Sequence, residues 1–298
     1  MTLQAAPGDW LGGRTLLLKR EDGHELGAFK WRGALPVVAQ YRDQGHVSVV
    51  TASTGNHGAA TAWAAARHGM TAVVFVPERA SAAKLELLGG LGAELVVGGS
   101  DLDEAKAAGI EYARGQGLPF FQDGAEAAQY EGYGGIADEI LAEVTPDAML
   151  VPVGNGALLA GIGLRLGARS PATRRIGVVA AGAPVMARSF EAGHVVESSA
   201  SDTFADGMAV RVAIPVAVEA LATAADEMAE VTDREMAEAV GAFAEAGMRV
   251  EGSAAAALAG ARRLEGRLEG VVVLIVTGRN IDDDLWRRAV ERPETFPG

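Results

Sequence analysis

Residues 46–76 read HVSVVTASTGNHGAATAWAAARHGMTAVVFV. The stretch opens with a β-rich run, His46–Ala52, passes through a polar loop into an alanine-rich helix, Gly58–His68, and closes with an apolar strand, Thr71–Val76. This order is typical of a βαβ unit, in which parallel strands are covered by crossover helices. The stretch therefore predicts an α/β fold.

The same alternation covers most of the 298 residues. Further strands are predicted at Glu94–Val97, Phe120–Gln122, Ala148–Val153, Ile176–Ala181 and Val271–Val276. Helices are predicted at Ser81–Leu91 with Ser81 as N-cap, Asp101–Arg114, Gly135–Val144, Leu158–Gly167, Asp233–Ala246 and Ser253–Leu264. The pattern predicts two open, mostly parallel sheets covered by helices, with ligands bound beyond the carboxyl ends of the strands.

Composition excludes several classes of function. A formal net charge of −13 argues against a nucleic-acid or anionic-membrane partner, because like charges repel. The absence of cysteine excludes disulfides, thiolate metal sites and cysteine nucleophiles. No apolar run reaches the ~18 residues of a membrane span, and the N-terminus lacks the pattern of a secretory signal. We expect a cytoplasmic protein.

Lysine is scarce, which draws attention to those that remain. Only four of the 26 basic residues are lysine: Lys19, Lys30, Lys84 and Lys106. Unlike arginine, lysine has an amine that can deprotonate and attack a carbonyl. A lysine retained in an arginine-rich sequence is therefore a candidate reactive residue. Lys30 lies between Phe29 and Trp31, whose burial would favour a neutral amine, but local context alone favours a lysine exposed at the surface.

Two loops lead from a strand into a helix. Thr51–His57 (TASTGNH) offers hydroxyl, amide and backbone N–H groups suited to a carboxylate, or simply an N-cap. Residues 151–161 (VPVGNGALLAG) have glycines that let backbone amides approach a phosphate at a helix N-terminus. The third glycine of a G-x-G-x-x-G motif is missing, which disfavours a nicotinamide cofactor.

The end of the last strong strand offers one more candidate. Thr277, in VTGRNID, could meet a heterocycle nitrogen, although a plain turn at Gly278 and Asn280 explains the same residues. The five histidines show no metal-binding spacing, so no metal site is predicted.

Taken in order, these motifs resemble the fold-type II pyridoxal-5′-phosphate (PLP) enzymes, most closely the serine/threonine dehydratase branch that also contains serine racemase. The resemblance runs from Leu16 to about Asp284. KRED…GAFKWRGA is similar to the family's lysine signature, STGNHGAA to its S-x-G-N-H loop, VPVGNGALLAG to its phosphate loop, FADGMAV to a further dehydratase segment and VTGRNID to its C-terminal segment.

The resemblance implies roles for named residues. Lys30 would carry the cofactor as a Schiff base and remove the Cα proton. Thr277 would meet the pyridine nitrogen and Asn56 the phenolic oxygen. The phosphate would be held by Gly154, Asn155, Gly156, Ala157 and Leu158, the substrate carboxylate by Ser53, Thr54, Gly55 and His57, and the cofactor pocket would include Phe29 and Glu251. The expected domains are residues 1–42 with 132–298 (large, PLP-binding) and residues 43–131 (small).

The implied reaction is α,β-elimination of water from L-threonine or L-serine, giving a 2-oxo acid and ammonia. Four departures keep alternatives open. Thr54 replaces a serine of racemases and matches threonine synthases, and both Asn155 and Ala157 replace glycines of the phosphate loop. Arg279 replaces a glycine of the C-terminal segment, placing a cation near the cofactor nitrogen or the pocket rim. The alternatives are β- or γ-replacement, racemisation, or a non-catalytic binding protein with this fold. The family implies a homodimer that binds a small amino-acid substrate.

Overall fold

The computed structural model describes residues 2–198 and 201–298. The strands are β1 Leu3–Ala5, β2 Thr15–Arg20, β3 Ser48–Ala52, β4 Thr71–Val76, β5 Glu94–Val97, β6 Ala148–Pro152, β7 Arg174–Ala180, β8 Glu227–Val231 and β9 Val271–Val276. The helices are α1 Trp31–Asp43, α2 Asn56–Arg67, α3 Ala82–Gly90, α4 Leu102–Gln116, α5 Ala127–Leu141, α6 Ala157–Arg169, α7 Val185–Ala192, α8 Pro215–Ala224, α9 Asp233–Glu245, α10 Gly252–Arg263 and α11 Asp283–Glu291. The α/β fold predicted from the sequence is confirmed.

The chain divides into two compact units, and the larger comprises Met1–Phe29 and Tyr133–Gly298. Its sheet has six strands in the order β1-β2-β9-β6-β7-β8, parallel except for β1 against β2. Residues 252–261 of α10 are all buried. Small residues allow this helix to lie close to the sheet, since a Cβ on Gly260 would come within 2.7 Å of Val178.

The smaller unit is Lys30–Gly132, with a three-stranded parallel sheet in the order β3-β4-β5. Its core joins Val50 of β3 with Val73 and Phe75 of β4 and with alanines of α4. The division at residues 29 and 132 groups α1 with the smaller unit, whereas the predicted boundary at residue 42 placed this helix in the larger one. The PLP-binding role given to the larger domain stays a prediction.

Local differences from the predicted elements have physical reasons. Ser81 is the N-cap of α3, as predicted, and its hydroxyl accepts from the Lys84 amide at 3.4 Å. The predicted strand Phe120–Gln122 is wrong. It forms one bridge to Val50, flanked by two backbone hydrogen bonds, before the chain turns away at Gly124. No helix in the described ranges is both long and apolar enough to cross a bilayer.

Candidate functional site

The segment that leads to Lys30 is paired with the chain just beyond β9. The Phe29 amide donates to the Thr277 carbonyl at 3.0 Å, and the Arg279 amide donates to the Gly27 carbonyl at 2.9 Å. Between them, Ala28 and Gly278 form an antiparallel bridge. Since Lys30 follows Phe29 directly, this pairing fixes where the chain leaves the larger unit just before Lys30.

Lys30 is the N-cap of α1 and has helical backbone angles. Its Nζ lies 2.5 Å from Oδ2 of Asp123, and the two side chains are 17% and 25% exposed. A charge-assisted hydrogen bond of this kind is stronger than a neutral one and is only partly screened by water here. Asp123 is not among the site residues predicted from the sequence. The available signal was a carboxylate directly after a predicted strand, where parallel sheets place ligand-binding groups.

Asp123 is held by neighbours other than Lys30. The Gln129 amide donates to its Oδ1 at 2.7 Å, and Nδ1 of His57 lies 3.6 Å from the same oxygen. Burial acts to raise the pKa of Asp123, but the charge of Lys30, the His57 ring and the hydrogen bonds from Lys30 and Gln129 outweigh it. The net effect holds this pKa below its ordinary value, so the group is a carboxylate at neutral pH.

His57 is a neighbour of Asp123 within the smaller unit. Its Nε2 is 3.0 Å from the Thr51 hydroxyl and 3.3 Å from the Phe121 carbonyl, and its ring meets the Phe121 ring edge-on at 4.5 Å. Burial lowers the pKa of His57, which favours the neutral ring. The predicted contact of His57 with a substrate carboxylate stays a prediction, and the ring is buried.

The polar loop of the S-x-G-N-H motif ends at the N-terminus of α2. Gly55 is the extended N-cap, its amide donates to the Ser53 hydroxyl at 3.2 Å, and α2 begins at Asn56. A Cβ on Gly58 would lie 2.5 Å from the Ser53 carbonyl, so the helix packs directly against the loop. The first amides of α2 and the Ser53 hydroxyl therefore lie where an anion is favoured, and Thr54 directly precedes the N-cap.

The glycine loop follows β6 and opens α6. A Cβ on Gly154 would lie 2.1 Å from the Gly207 carbonyl, and Gly156 has a positive φ of 92°. The Ala157 amide donates to the Asn155 side chain at 3.1 Å. Ala157 begins the helix at ordinary angles, as expected for a residue with a Cβ. The Asn155 side chain thus accepts a hydrogen bond from an amide at the start of α6, and a bound phosphate would replace it as the acceptor.

Thr277 directly follows β9, the strand that is paired with β6. Its side chain is 2% exposed, and among the described residues its hydroxyl finds no hydrogen-bond partner. A buried polar atom without a partner is costly, so such atoms commonly mark a ligand position. Close by, the Glu251 amide donates to the Gly278 carbonyl at 3.1 Å, and a Cβ on Gly278 would come within 2.8 Å of the Glu251 carboxylate.

The glycine loop after β6 suits the phosphate of pyridoxal phosphate, and the Thr277 hydroxyl suits its ring nitrogen. Because β6 and β9 are hydrogen-bonded parallel neighbours, the Gly154 loop and Thr277 lie at the same edge of one sheet. The loop offers a glycine cradle at a helix N-terminus, which fits a phosphate. The unpartnered hydroxyl of Thr277 fits a ring nitrogen. The residues present therefore fit this cofactor.

Arg279 is bonded to the segment that follows β2. Its guanidinium donates to the Asp22 carbonyl at 2.7 Å and the residue is exposed. The cation predicted near the cofactor nitrogen or the pocket rim is therefore engaged in holding a backbone carbonyl. Within the described part of the chain, no group of three or more histidine or carboxylate side chains could hold a metal ion.

Comparison with known proteins finds relatives over nearly the whole chain. The family model described as "Pyridoxal-phosphate dependent enzyme" matches residues 3–278. An L-threonine ammonia-lyase from Geobacter sulfurreducens is 35% identical over 94% of this chain and 71% of its own length. A biosynthetic L-threonine dehydratase from Pasteurella multocida is 31% identical over 95% of this chain, which spans 56% of that enzyme.

Two solved structures superpose closely on this chain. The processed form of threonine deaminase isoform 2 from Solanum lycopersicum superposes with a TM-score of 0.90 at 30% identity, covering 94% of this chain and 83% of that one. Maize serine racemase superposes with a TM-score of 0.89 at 26% identity, covering 99% and 92%.

Proposed function

This chain belongs to the pyridoxal-phosphate dependent enzyme family, and from that premise we propose that it is a lyase acting on a small β-hydroxy amino acid. The reaction is elimination of water from L-threonine or L-serine, followed by hydrolysis of the enamine to a 2-oxo acid and ammonia. The similarity to threonine ammonia-lyases over 94–95% of the chain supports this substrate class.

The buried, unpartnered Thr277 hydroxyl is the observation that carries the choice of reaction. Pyridoxal phosphate, when bound, supplies an electron sink for charge that develops at Cα. A neutral hydroxyl stabilises a protonated ring nitrogen less than a carboxylate would. The site therefore favours a reaction in which negative charge leaves Cα promptly, as it does when the β-hydroxyl departs.

The other residues bind, orient and move a proton. We propose that Lys30 joins the cofactor and, once released, takes the Cα proton of the substrate at Nζ. Asn56 orients the cofactor through its phenolic oxygen. The backbone amides of Gly154, Asn155, Gly156, Ala157 and Leu158 bind the phosphate; Ser53, Thr54, Gly55 and His57 form the substrate carboxylate pocket; Phe29 and Glu251 complete the cofactor pocket.

The test is a product assay on protein reconstituted with pyridoxal phosphate. L-threonine, L-serine and 3-hydroxyaspartate are supplied separately, and 2-oxo acid and ammonia are measured together. We expect equal amounts of both from at least one substrate, and none with Lys30→Ala. Absence of oxo acid from all three rejects the proposal. Inverted substrate in a chiral assay, or a trapped adduct with an added thiol, assigns racemisation or replacement instead.

We further propose a cytoplasmic homodimer, as the family resemblance implies. Light scattering on the purified protein is expected to give twice the chain mass of 30.6 kDa. A mass of one chain would refute the dimer. Fractionation of cells that express the protein natively tests the location.

A further inference from the structure

Asp123 lies at hydrogen-bond distance from the nitrogen that the proposed function assigns to the cofactor. The 2.5 Å separation from Lys30 Nζ brings a carboxylate directly to the reacting atom. Both side chains are mostly removed from solvent, so their attraction is weakly screened. None of the roles described above uses this carboxylate.

The position of Asp123 is set by groups other than Lys30. Gln129 donates to its second oxygen at 2.7 Å and accepts from the Gly124 amide at 2.7 Å. The Tyr130 hydroxyl donates to the Gly124 carbonyl at 2.7 Å, which fixes the next residue of the loop. The carboxylate is therefore held in place by its own loop and α5, and it does not depend on the charge of Lys30 for its orientation.

We propose that Asp123 is the counterion of the Lys30 nitrogen, in the free ammonium and in the cofactor-linked form. The inference rests on the proposed function, which supplies the link. In that link the neutral amine of Lys30 adds to the cofactor aldehyde and one water leaves, so a C=N bond replaces C=O. The nitrogen is cationic when it retains one proton, and Asp123 accepts a hydrogen bond from that proton.

The chemical consequence is control of the proton on this nitrogen. An opposite charge at this distance favours the protonated form by about 1–3 pK units. A protonated C=N carbon is the more electrophilic, which helps an incoming amino group displace Lys30. Asp123 would then be a catalytic residue for substrate entry as well as a structural partner of Lys30.

The test is the pH titration of the cofactor absorbance band, which reports protonation of the linked nitrogen without any substrate. We expect Asp123→Asn to lower the apparent pKa of that nitrogen by about 1–3 units. Asp123→Glu, which keeps the charge, is expected to stay nearer the wild type. Glu126→Gln removes a carboxylate from the same loop that is bonded to Tyr41, and a much smaller change is expected.

Other titratable groups near Asp123 are accounted for in the same titration. His57 faces it from α2, Tyr130 from α5, and Lys106 on α4 acts on His57. Burial raises the pKa of Tyr130 to about 12, so it stays neutral over the range titrated. His57→Gln is titrated in parallel, and a shift as large as that of Asp123→Asn would overturn the assignment.

The outcomes separate this inference from the proposed function. Borohydride reduction and peptide mass spectrometry locate the cofactor on a residue. A label away from Lys30 refutes the proposed function itself. A label on Lys30 with an unchanged titration in Asp123→Asn refutes only the counterion. If the Asn variant does not fold, Asp123→Ala is titrated with and without added formate, and failure of formate to raise the pKa counts against the inference.

Discussion

The Phe29 amide and the Thr277 carbonyl, 3.0 Å apart, join two segments separated by almost the whole chain. One segment leads to Lys30, the predicted cofactor lysine, and the other contains Thr277, the predicted partner of the ring nitrogen. Between the paired residues, Ala28 and Gly278 form an antiparallel bridge, so the contact is made by backbone atoms. A side-chain substitution at position 277 therefore removes none of these backbone hydrogen bonds.

Thr277→Val should separate stability from function. Valine has the shape of threonine but removes a buried hydroxyl that has no partner within residues 2–198 and 201–298. We expect the cofactor-free variant to be more stable by about 1 kcal/mol in urea unfolding. Cofactor affinity and turnover should fall, because the ring nitrogen loses its partner. Thr277→Ser should retain both, and a Val variant as active as wild type would exclude the proposed contact.

Gly154→Ala should damage the glycine loop. The new Cβ would meet the Gly207 carbonyl at 2.1 Å, and a backbone atom cannot swing aside as a side chain can. We expect a loss of about 1–3 kcal/mol in stability and a clear weakening of phosphate binding. Gly241→Ala, with open space in α9, is the matched control and should stabilise slightly. Equal stability of the two variants would contradict the close approach.

Lys30→Arg and Lys30→Ala should differ in stability but not in activity. Both remove the amine, so neither should carry the cofactor covalently or turn over substrate. Arginine keeps a cation beside Asp123, whereas alanine leaves the carboxylate without it. We expect Lys30→Ala to be less stable than Lys30→Arg by about 2 kcal/mol. Denaturant unfolding of the two variants measures the difference, and the reverse order would argue against the ion pair.

The free energy of unfolding should fall on acidification. Burial lowers the pKa of His57 from 6.5, so below that pH the unfolded chain binds the proton more readily than the folded one. Asp123 has a lowered pKa, so its contribution is present above 3.8 and is lost as the pH falls further. Each group adds a slope of at most about 1.4 kcal/mol per pH unit.

Urea unfolding between pH 7.5 and 4 checks this expectation. His57→Gln should flatten the profile just below pH 6.5, the ordinary pKa of histidine. His194→Gln serves as control, because His194 is exposed and its ring lies 3.0 Å from the nearby Ala192 carbonyl. A wild-type profile that is level across this range would mean that the His57 ring is not desolvated.

Apolar strands were the most predictable part of the fold. β4, β5 and β9 have the bounds that the sequence indicates, since runs of β-branched and apolar residues end at turn residues. α1 was not predicted because Pro36 interrupts its pattern. Pro36 cannot donate to the Arg32 carbonyl, which instead lies against Gly132, where a Cβ would come within 2.0 Å. Tertiary packing maintains this helix, and packing is not visible in local periodicity.

The candidate site likewise has one part that local sequence indicates and another that only tertiary contacts determine. The loops after β3, β6 and β9 were found from sequence because each is local, a strand followed by glycine or hydroxyl residues. The partnership of Lys30 with Asp123 spans 93 residues and depends on how a single bridge at Phe120 directs the chain. The direction of the Arg279 side chain likewise follows from the position of the Asp22 carbonyl, 257 residues away.

The parallel pairing of β2 with β9 determines when the larger sheet can be completed during translation. Thr15–Arg20 is translated well before its neighbour in the sheet, Val271–Val276, so the six-stranded sheet stays incomplete while the segments between them are made. The smaller unit, Lys30–Gly132, is continuous and has all of its strands much sooner. The order of synthesis therefore lets the smaller unit fold first, whereas the larger sheet closes only after β9 has been translated.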